Sequence, residues 1–350
     1  MISAVRRLAL QGIGHLSGHW PGRGAAVLCL HSVRPSGARR QGFAPLQHLA
    51  VSATFLEELI FELQRRGFDI VSLAEAISHE RLNGARRAVA FTLDDGYADN
   101  FTRAYPIFRR HSVPFAVFLT TGFIDRSVLM WWLVVEVLVR QRERVILPDH
   151  GTITTLTPRQ KRTAFAVISD IAMRMTPDRL SAFIDTLLQA NPGTSAREAA
   201  MAAPLSWDDV RTMAASGLAT FGCHTVSHAP LALLDPDVCT AEIAAARDRM
   251  GEKLGTRPRF FAYPYGGPHQ IGTKAPRLVA AAGFEAAFTT RRDPVVCLGR
   301  DSAYTLPRVV IGTEDMLAAR AYVSGLPSAI RSTPKRIFRR ASGAARGALN

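Results

Sequence analysis

The sequence predicts an α/β protein of the (β/α)-barrel type, and three observations predict it. Short apolar, strand-like runs alternate with helix-start signals along the body of the chain, and such alternation means parallel strands with helices outside. The residues able to do chemistry stand at the ends of those runs, as in (β/α) barrels, whose sites gather at the C-terminal face. Finally, 350 residues with 47% hydrophobic side chains suffice to bury a large core.

In chain order, Ala25-Ala-Val-Leu-Cys-Leu30 reads as a strand ending at His31. Thr54-Phe-Leu-Glu57 reads as a capping box, opening a helix that Gly67 closes. A short strand over 69–72 follows, and Ser72-Leu-Ala-Glu75 caps another helix. Ala88 to Leu93 and Pro114 to Leu119 are apolar strands. Ser206-Trp-Asp-Asp209 caps a helix ended by Gly217, and Asp235-Pro236 starts one with proline at its first position. Arg259 to Tyr263, Ala286 to Thr289 and Val309 to Ile311 are the last strands.

Two of these strands end in candidate chemistry. Ala88–Leu93 stops at Asp94, Asp95 and Gly96. Adjacent carboxylates can take separate jobs where a strand ends and the chain turns, and buried carboxylates need a counter-charge such as a metal ion. Alone, this stretch also fits a turn with both side chains in water. Phe221-Gly-Cys-His224-Thr-Val-Ser-His228 ends a second apolar segment with histidines four apart. That spacing sets both rings on one face of a helical turn, where they can meet one ion. Together the stretches read as a two-His, one-Asp metal site.

These residues resemble a known family. Thr92-Leu-Asp-Asp-Gly96 and His224-Thr-Val-Ser-His228 are similar to the first two motifs of the polysaccharide deacetylases, carbohydrate esterase family four, which include the nodulation-type chitooligosaccharide deacetylases. Arg259-Phe-Phe-Ala-Tyr-Pro-Tyr-Gly266 resembles their third motif, an apolar strand ending in Pro-Tyr-Gly. Order and spacing agree, and the resemblance spans roughly residues 25 to 312 around a long insertion. It implies an α/β fold, a distorted (β/α)7 barrel, to which the residues themselves add a helical insertion. It further implies Asp94 as general base, Asp95 as ligand with His224 and His228, and the Tyr265 N–H as oxyanion donor. An ion so held keeps open positions, lowers the pKa of bound water and polarises a carbonyl, as amide hydrolysis requires. Zinc is the expected divalent metal, with cobalt and nickel suited to the same ligands.

The sequence departs from the family at two points. No histidine follows His269, so the late Leu-x-His motif that supplies the acid is missing. Where the third motif carries arginine, two residues before its proline, this chain has Ala262. His31, in Cys29-Leu-His-Ser-Val33, resembles the Tyr-His-x-Val start of the biofilm poly-N-acetylglucosamine deacetylases and is the expected acid. Arg308, in Leu306-Pro-Arg-Val-Val310, is the expected charge beside the base. His48, His111 and His150 fall in loop-like contexts and read as solvated.

The expected organisation is a basic segment over 1–24, a barrel over 25–326 and a basic tail over 327–350. Nine of the fourteen net positive charges lie in the two ends, which carry no acid. Such ends read as solvated chain or as peripheral contact with an anionic membrane surface, and no nucleic-acid motif accompanies them. The insertion, about 125–203, reads as helical, with helix starts at Thr157-Pro158 and Thr176-Pro177. It either lines a substrate groove or elaborates the packing. The apolar run 128–139 contains Glu136 and falls short of the twenty or so residues that span a bilayer; it reads as a buried or interfacial helix. No signal peptide is read, and four cysteines without paired spacing suit a reducing compartment, so a cytoplasmic location, at the inner membrane surface if the ends bind there, is expected. The expected activity is metal-dependent removal of N-acetyl groups from an N-acetylated sugar or polysaccharide. Deformylation or deacetylation of a lipid-linked sugar and a non-catalytic glycan-binding barrel are the alternatives.

Overall fold

Strand β1, Ala25–Leu30, is buried at every residue and pairs in parallel along its whole length with β5, Ala88–Leu93. Around this pair the parallel sheet runs β11-β10-β9-β6-β5-β1-β12. Its other members are β6 (Phe115–Leu119), β9 (Ala219–Cys223), β10 (Phe260–Ala262), β11 (Ala286–Phe288) and β12 (Val309–Val310). A short strand β4, Asp69–Ile70, pairs with the start of β5, and β6 pairs with its end. Leu306, just before β12, bridges in parallel to Phe288 of β11 and so joins the two ends of the row. The result is the distorted seven-stranded (β/α) barrel. The computed structural model describes residues 25–37, 42–78, 87–291, 303–312 and 314–323. The basic segments 1–24 and 327–350 lie outside the described residues, as does Cys297.

Alternation along the strands sorts two faces. Ala25, Val27, Ala88, Ala90, Ala116, Phe118, Ala262 and Phe288 belong to one buried cluster to which the long outer helices contribute nothing; this is the barrel interior. Leu28, Leu30, Val89, Phe91 and Val117 pack instead with Leu56, Ile60, Val210 and Met250 of the outer helices. The parity matters for the site. Continuing the inward series carries β1 to Cys29 and His31, β5 to Thr92 and Asp94, and β9 to Gly222 and His224.

Several helix starts follow the sequence. Ser206 and Asp209 form a full capping box on helix Trp207–Ala215, Thr157 and Gln160 another on Pro158–Ala172, and Pro236 opens Pro236–Leu254. The first outer helix is a correction. It runs Ala53–Arg65, and its cap is Ser52, whose hydroxyl accepts from the Phe55 N–H, rather than Thr54. Ser52 ends strand β3, Ala50–Ser52, which pairs with β2, Ser32–Arg34, and that pairing places the helix start two residues earlier.

Between β6 and β9 the chain adds a second core. Helix Trp131–Gln141 is buried on most sides and packs with Val145, Leu147, Ile168, Ile184 and Leu187. Burial also settles the apolar run: the helix faces protein, and Glu136 pairs with Arg140 within it. The helices Pro158–Ala172, Pro177–Ala190 and Ala196–Ala202 complete the segment. An antiparallel hairpin, β7 (Arg144–Leu147) with β8 (Gly151–Thr154), interrupts what read as wholly helical sequence. Asp149 and Gly151 take left-handed φ values of 61° and 78° to make its turn. No helix of the described residues is long and apolar enough to cross a membrane.

Candidate active site

Three strand-end loops meet at the barrel mouth, and each turns through left-handed backbone. Asp95 (φ 72°), Thr225 (φ 67°), His228 (φ 59°) and Tyr265 (φ 62°) are four of the seven non-glycine residues with positive φ among the described residues. Such conformations cost about 1–3 kcal/mol each and persist where surrounding contacts over-determine them. The contacts are present. Thr121 and Gly122 N–H groups donate to the Thr225 and Val226 carbonyls at 3.1 and 2.9 Å. Val226 and Ser227 N–H groups both donate to Glu242 Oε2 at 3.0 Å. The histidine pair is therefore carried on a clamped loop, not on the helical turn its spacing suggests; left-handed Thr225 and His228 break the helix before it forms.

The turn at Asp94-Asp95-Gly96 sends the two carboxylates to different partners. Asp95 Oδ1 lies 3.5 Å from His224 Nε2 and 3.2 Å from His228 Nε2, and all three residues are buried. One ligand atom from each falls within a 4.8 Å cluster. Asp95 Oδ1 nonetheless makes no hydrogen bond among the described residues. His224 Nδ1 meets the Ala262 carbonyl at 2.7 Å. A carbonyl can only accept, so Nδ1 carries a proton, and Nε2, the ring atom facing Asp95, is the one placed to ligate a metal. Burial pushes the His228 imidazole down, with Asp95 opposing, so it favours the neutral form. Burial pushes the Asp95 carboxyl up, but the two imidazoles outweigh it and hold it well below the usual carboxylate range. Two imidazole Nε2 atoms and an orphaned buried carboxylate oxygen fit a divalent transition metal.

Asp94 is engaged differently. Arg308, fully buried, donates from Nη1 to Oδ1 at 2.7 Å and from Nη2 to Oδ2 at 2.6 Å. The guanidinium also donates to Thr92 Oγ1 at 3.1 Å and lies 5.2 Å over the Phe118 ring. Phe118 sits opposite Gly222 in the β6–β9 register, and a Cβ on Gly222 would come within 2.4 Å of its ring. Burial pushes the Asp94 carboxyl up, and Arg308 overcomes that to hold it below the usual range, ionised at neutral pH. The arginine absent at Ala262 is thus supplied by the segment entering β12.

His31 reaches the same cleft. Its carbonyl accepts from Asn100 Nδ2 at 2.7 Å, and Asp99 holds the next turn through Ser32 Oγ and the Val33 N–H. Burial pushes the imidazole down, against the pull of Asp95 and Asp94. His31, Cys29 and Asp94 also bring one ligand atom each within 4.8 Å. That trio is a poor metal site, because Arg308 takes both Asp94 oxygens and burial raises the Cys29 thiol well above its ordinary value. The same distances place a His31 ring nitrogen within 4.8 Å of an Asp94 carboxylate oxygen, so the expected acid stands next to the expected base.

Tyr265 completes the mouth. Its ring is 4.6 Å from that of His228, and its hydroxyl accepts from Trp131 Nε1 at 3.2 Å. Thr290 pins the turn, donating from Oγ1 to the Tyr265 carbonyl and from its N–H to that of Gly266, each at 2.9 Å. A Cβ on Gly266 would meet Thr290 at 2.5 Å, so only glycine fits. The Tyr265 N–H has no protein acceptor among the described residues.

All seven candidate residues converge on one region; six of them, with Arg308 behind Asp94, line a cleft of about 370 Å³. Trp131 and Trp132 also line the cleft, although neither stands out in the sequence as a site residue. Trp132 packs edge-on to His228 with ring centroids 5.0 Å apart and donates to the Tyr97 hydroxyl at 2.8 Å. The signal was present, as a tryptophan pair inside a run assigned to packing.

The sequence matches the polysaccharide deacetylase family over residues 81–287. Solved structures share the fold. The Streptococcus pyogenes deacetylase PplD in complex with acetate is 16% identical, with 86% of this chain and 97% of that chain covered and a TM-score of 0.56. IcaB from Ammonifex degensii is 20% identical, covering 87% and 98%, with a TM-score of 0.53. A de-N-acetylase from Aggregatibacter actinomycetemcomitans is 17% identical, covering 85% and 99%, with a TM-score of 0.55. At these identities the likeness is one of fold. No curated protein matches the sequence.

Proposed function

The chain belongs to the polysaccharide deacetylase family, whose members hydrolyse N-acetyl amide bonds in polysaccharides, and from that premise we propose a metal-dependent N-deacetylase of an N-acetylated amino sugar, alone or in a glycan. The observation that carries the reading is the division of labour at Asp94 and Asp95: one carboxylate is forked by Arg308, the other faces two imidazole Nε2 atoms.

Asp95, His224 and His228 would hold the ion. Zinc, cobalt or nickel suits that donor set, and when bound it supplies Lewis-acid activation of water and of the amide carbonyl. Asp94, kept ionised by Arg308, accepts the proton of the attacking water. The Tyr265 N–H donates to the oxygen that gains charge; one such donor is worth roughly 3–4 kcal/mol in other hydrolases. His31 gives a proton to the departing amine. Its place beside Asp94 lets one proton serve both residues, taken at Asp94 and delivered through His31. Trp131, Trp132 and Tyr265 enclose the acyl end and exclude water.

The test is amine release. Chelator-stripped protein should release no free amine from short N-acetylglucosamine oligomers, and reloading with zinc, cobalt or nickel should restore release with an equal amount of acetate. Lack of amine and acetate from any metal-loaded form, across a panel of N-acylated sugars, would remove the proposal.

A further inference from the structure

Apart from the candidate ligands and catalytic groups, the described lining of the cleft is mainly apolar. Among the described lining residues, the charged carboxylates are Asp94 and Asp95, and both have assigned partners. The apolar wall of the cleft includes Leu46, Leu49, Trp131, Phe165, Met173 and Val310. These come from four separate places: the turn Gln47–Leu49 and the residue before it, helix Trp131–Gln141, helix Pro158–Ala172 with the residue after it, and β12. Leu49, Phe165, Met173 and Val310 are only half-buried, so their apolar surface faces the cleft. Among the described residues the polar side chains lining this wall are His48, Ser169 and Thr290, of which the Ser169 hydroxyl has no hydrogen-bond partner. Thr290 already donates to Tyr265, and His48 Nδ1 meets the Pro45 carbonyl at 3.0 Å.

A sugar residue within a polysaccharide carries hydroxyls all round its ring. Each costs free energy if it leaves water without a partner. Aromatic faces can cover the C–H face of a sugar, but leucine, methionine and valine side chains return nothing for a lost hydroxyl hydrogen bond. They do return free energy for apolar surface. The volume also limits the occupant: about 370 Å³ is at the small end for a ligand pocket.

We propose that the cleft takes a neutral N-acetylated amino sugar bearing an apolar, lipid-like aglycone, with that group laid against Leu46, Leu49, Phe165, Met173 and Val310. The inference rests on the deacetylase reading for the sugar end and assigns the insertion a recognition role for the other end.

The test uses binding, which does not depend on turnover. Octyl and methyl N-acetyl-β-glucosaminides, below the micellar concentration of the former, are titrated into zinc-loaded protein while tryptophan fluorescence is followed, since Trp131 and Trp132 line the cleft. The octyl glycoside should bind at least tenfold more tightly than the methyl glycoside. In the double variant Leu49→Ser, Met173→Ser the ratio should fall to near one, with metal content and thermal unfolding checked to show that the fold is kept. Equal binding of both glycosides to the wild type overturns the proposal. So does an octyl preference that survives in the double variant, because the chain then docks elsewhere. Amine release is measured on both glycosides in parallel: preference without turnover would refute the deacetylase reading and leave the apolar subsite standing.

Discussion

Arg308 holds Asp94 by both carboxylate oxygens, at 2.7 and 2.6 Å, across 214 residues of sequence, and does so with no exposure to solvent. A parallel fork of this kind is specific to guanidinium; an ammonium offers a point charge. Arg308→Lys should therefore keep the metal, because no ligand touches Arg308, and lower kcat about tenfold or more. Full wild-type turnover in Arg308→Lys would show that the fork has no part in orienting the base.

The support behind the fork is also testable. Gly222 leaves room for the Phe118 ring, on which the Arg308 guanidinium rests. Gly222→Ala should push Phe118 into Arg308, costing about 1–3 kcal/mol of stability as overpacking does, and should lower kcat more than it raises KM. Adding Phe118→Leu should recover part of both losses. If Gly222→Ala unfolds and turns over like the wild type, the linkage is absent.

His31→Ala should retain metal and fold and reduce amide turnover by about 10²–10⁴, the usual contribution of a general acid. An ester substrate, whose leaving group needs less protonation, should suffer less. Equal losses on amide and ester would assign His31 to positioning instead of proton delivery.

Glu62 gives a pH-dependent prediction away from the cleft. Its buried carboxylate joins Arg65, Arg66 and Arg320, tying helix Ala53–Arg65 to helix Met316–Val323. Burial pushes the carboxyl up, and the arginines outweigh it, so the folded pKa lies below the ordinary value. A depressed folded pKa means that the stabilisation is complete above the unfolded value, about 4.3, and is lost as pH falls through the folded one. Glu62→Gln should cost about 2 kcal/mol at pH 7, the scale of hydrogen bonds to a charged group. The gap to wild type should begin to narrow as pH falls below about 4.3 and close only below the lower folded value, as followed by urea denaturation. A gap of constant size across that range would mean that the charge contributes nothing.

Much of the site was legible because strands enforce it. An apolar run ending in Asp-Asp-Gly can only present its carboxylates at a strand end, and inward parity then selects Asp94, His224 and His31. Contacts that depend on approach in space were not legible. Nothing local ties Phe118 to Arg308, or Trp131 to Tyr265, since each pair meets through the barrel or the insertion. The four-residue spacing of His224 and His228 misled in detail: a helical turn and a clamped left-handed loop both bring the rings together, and spacing alone does not separate them. The hairpin at 144–154 hid for a related reason, because four-residue strands between helices leave little room for a period-two pattern.

The most direct test is the metal content of the two adjacent carboxylate variants, with the histidine variants as reference. Asp94→Asn should bind about one divalent metal per chain and lose turnover. Asp95→Asn, His224→Ala and His228→Ala should each lose most of the metal. Full metal retention in both His224→Ala and His228→Ala, or equal metal loss in Asp94→Asn and Asp95→Asn, would contradict the assignment.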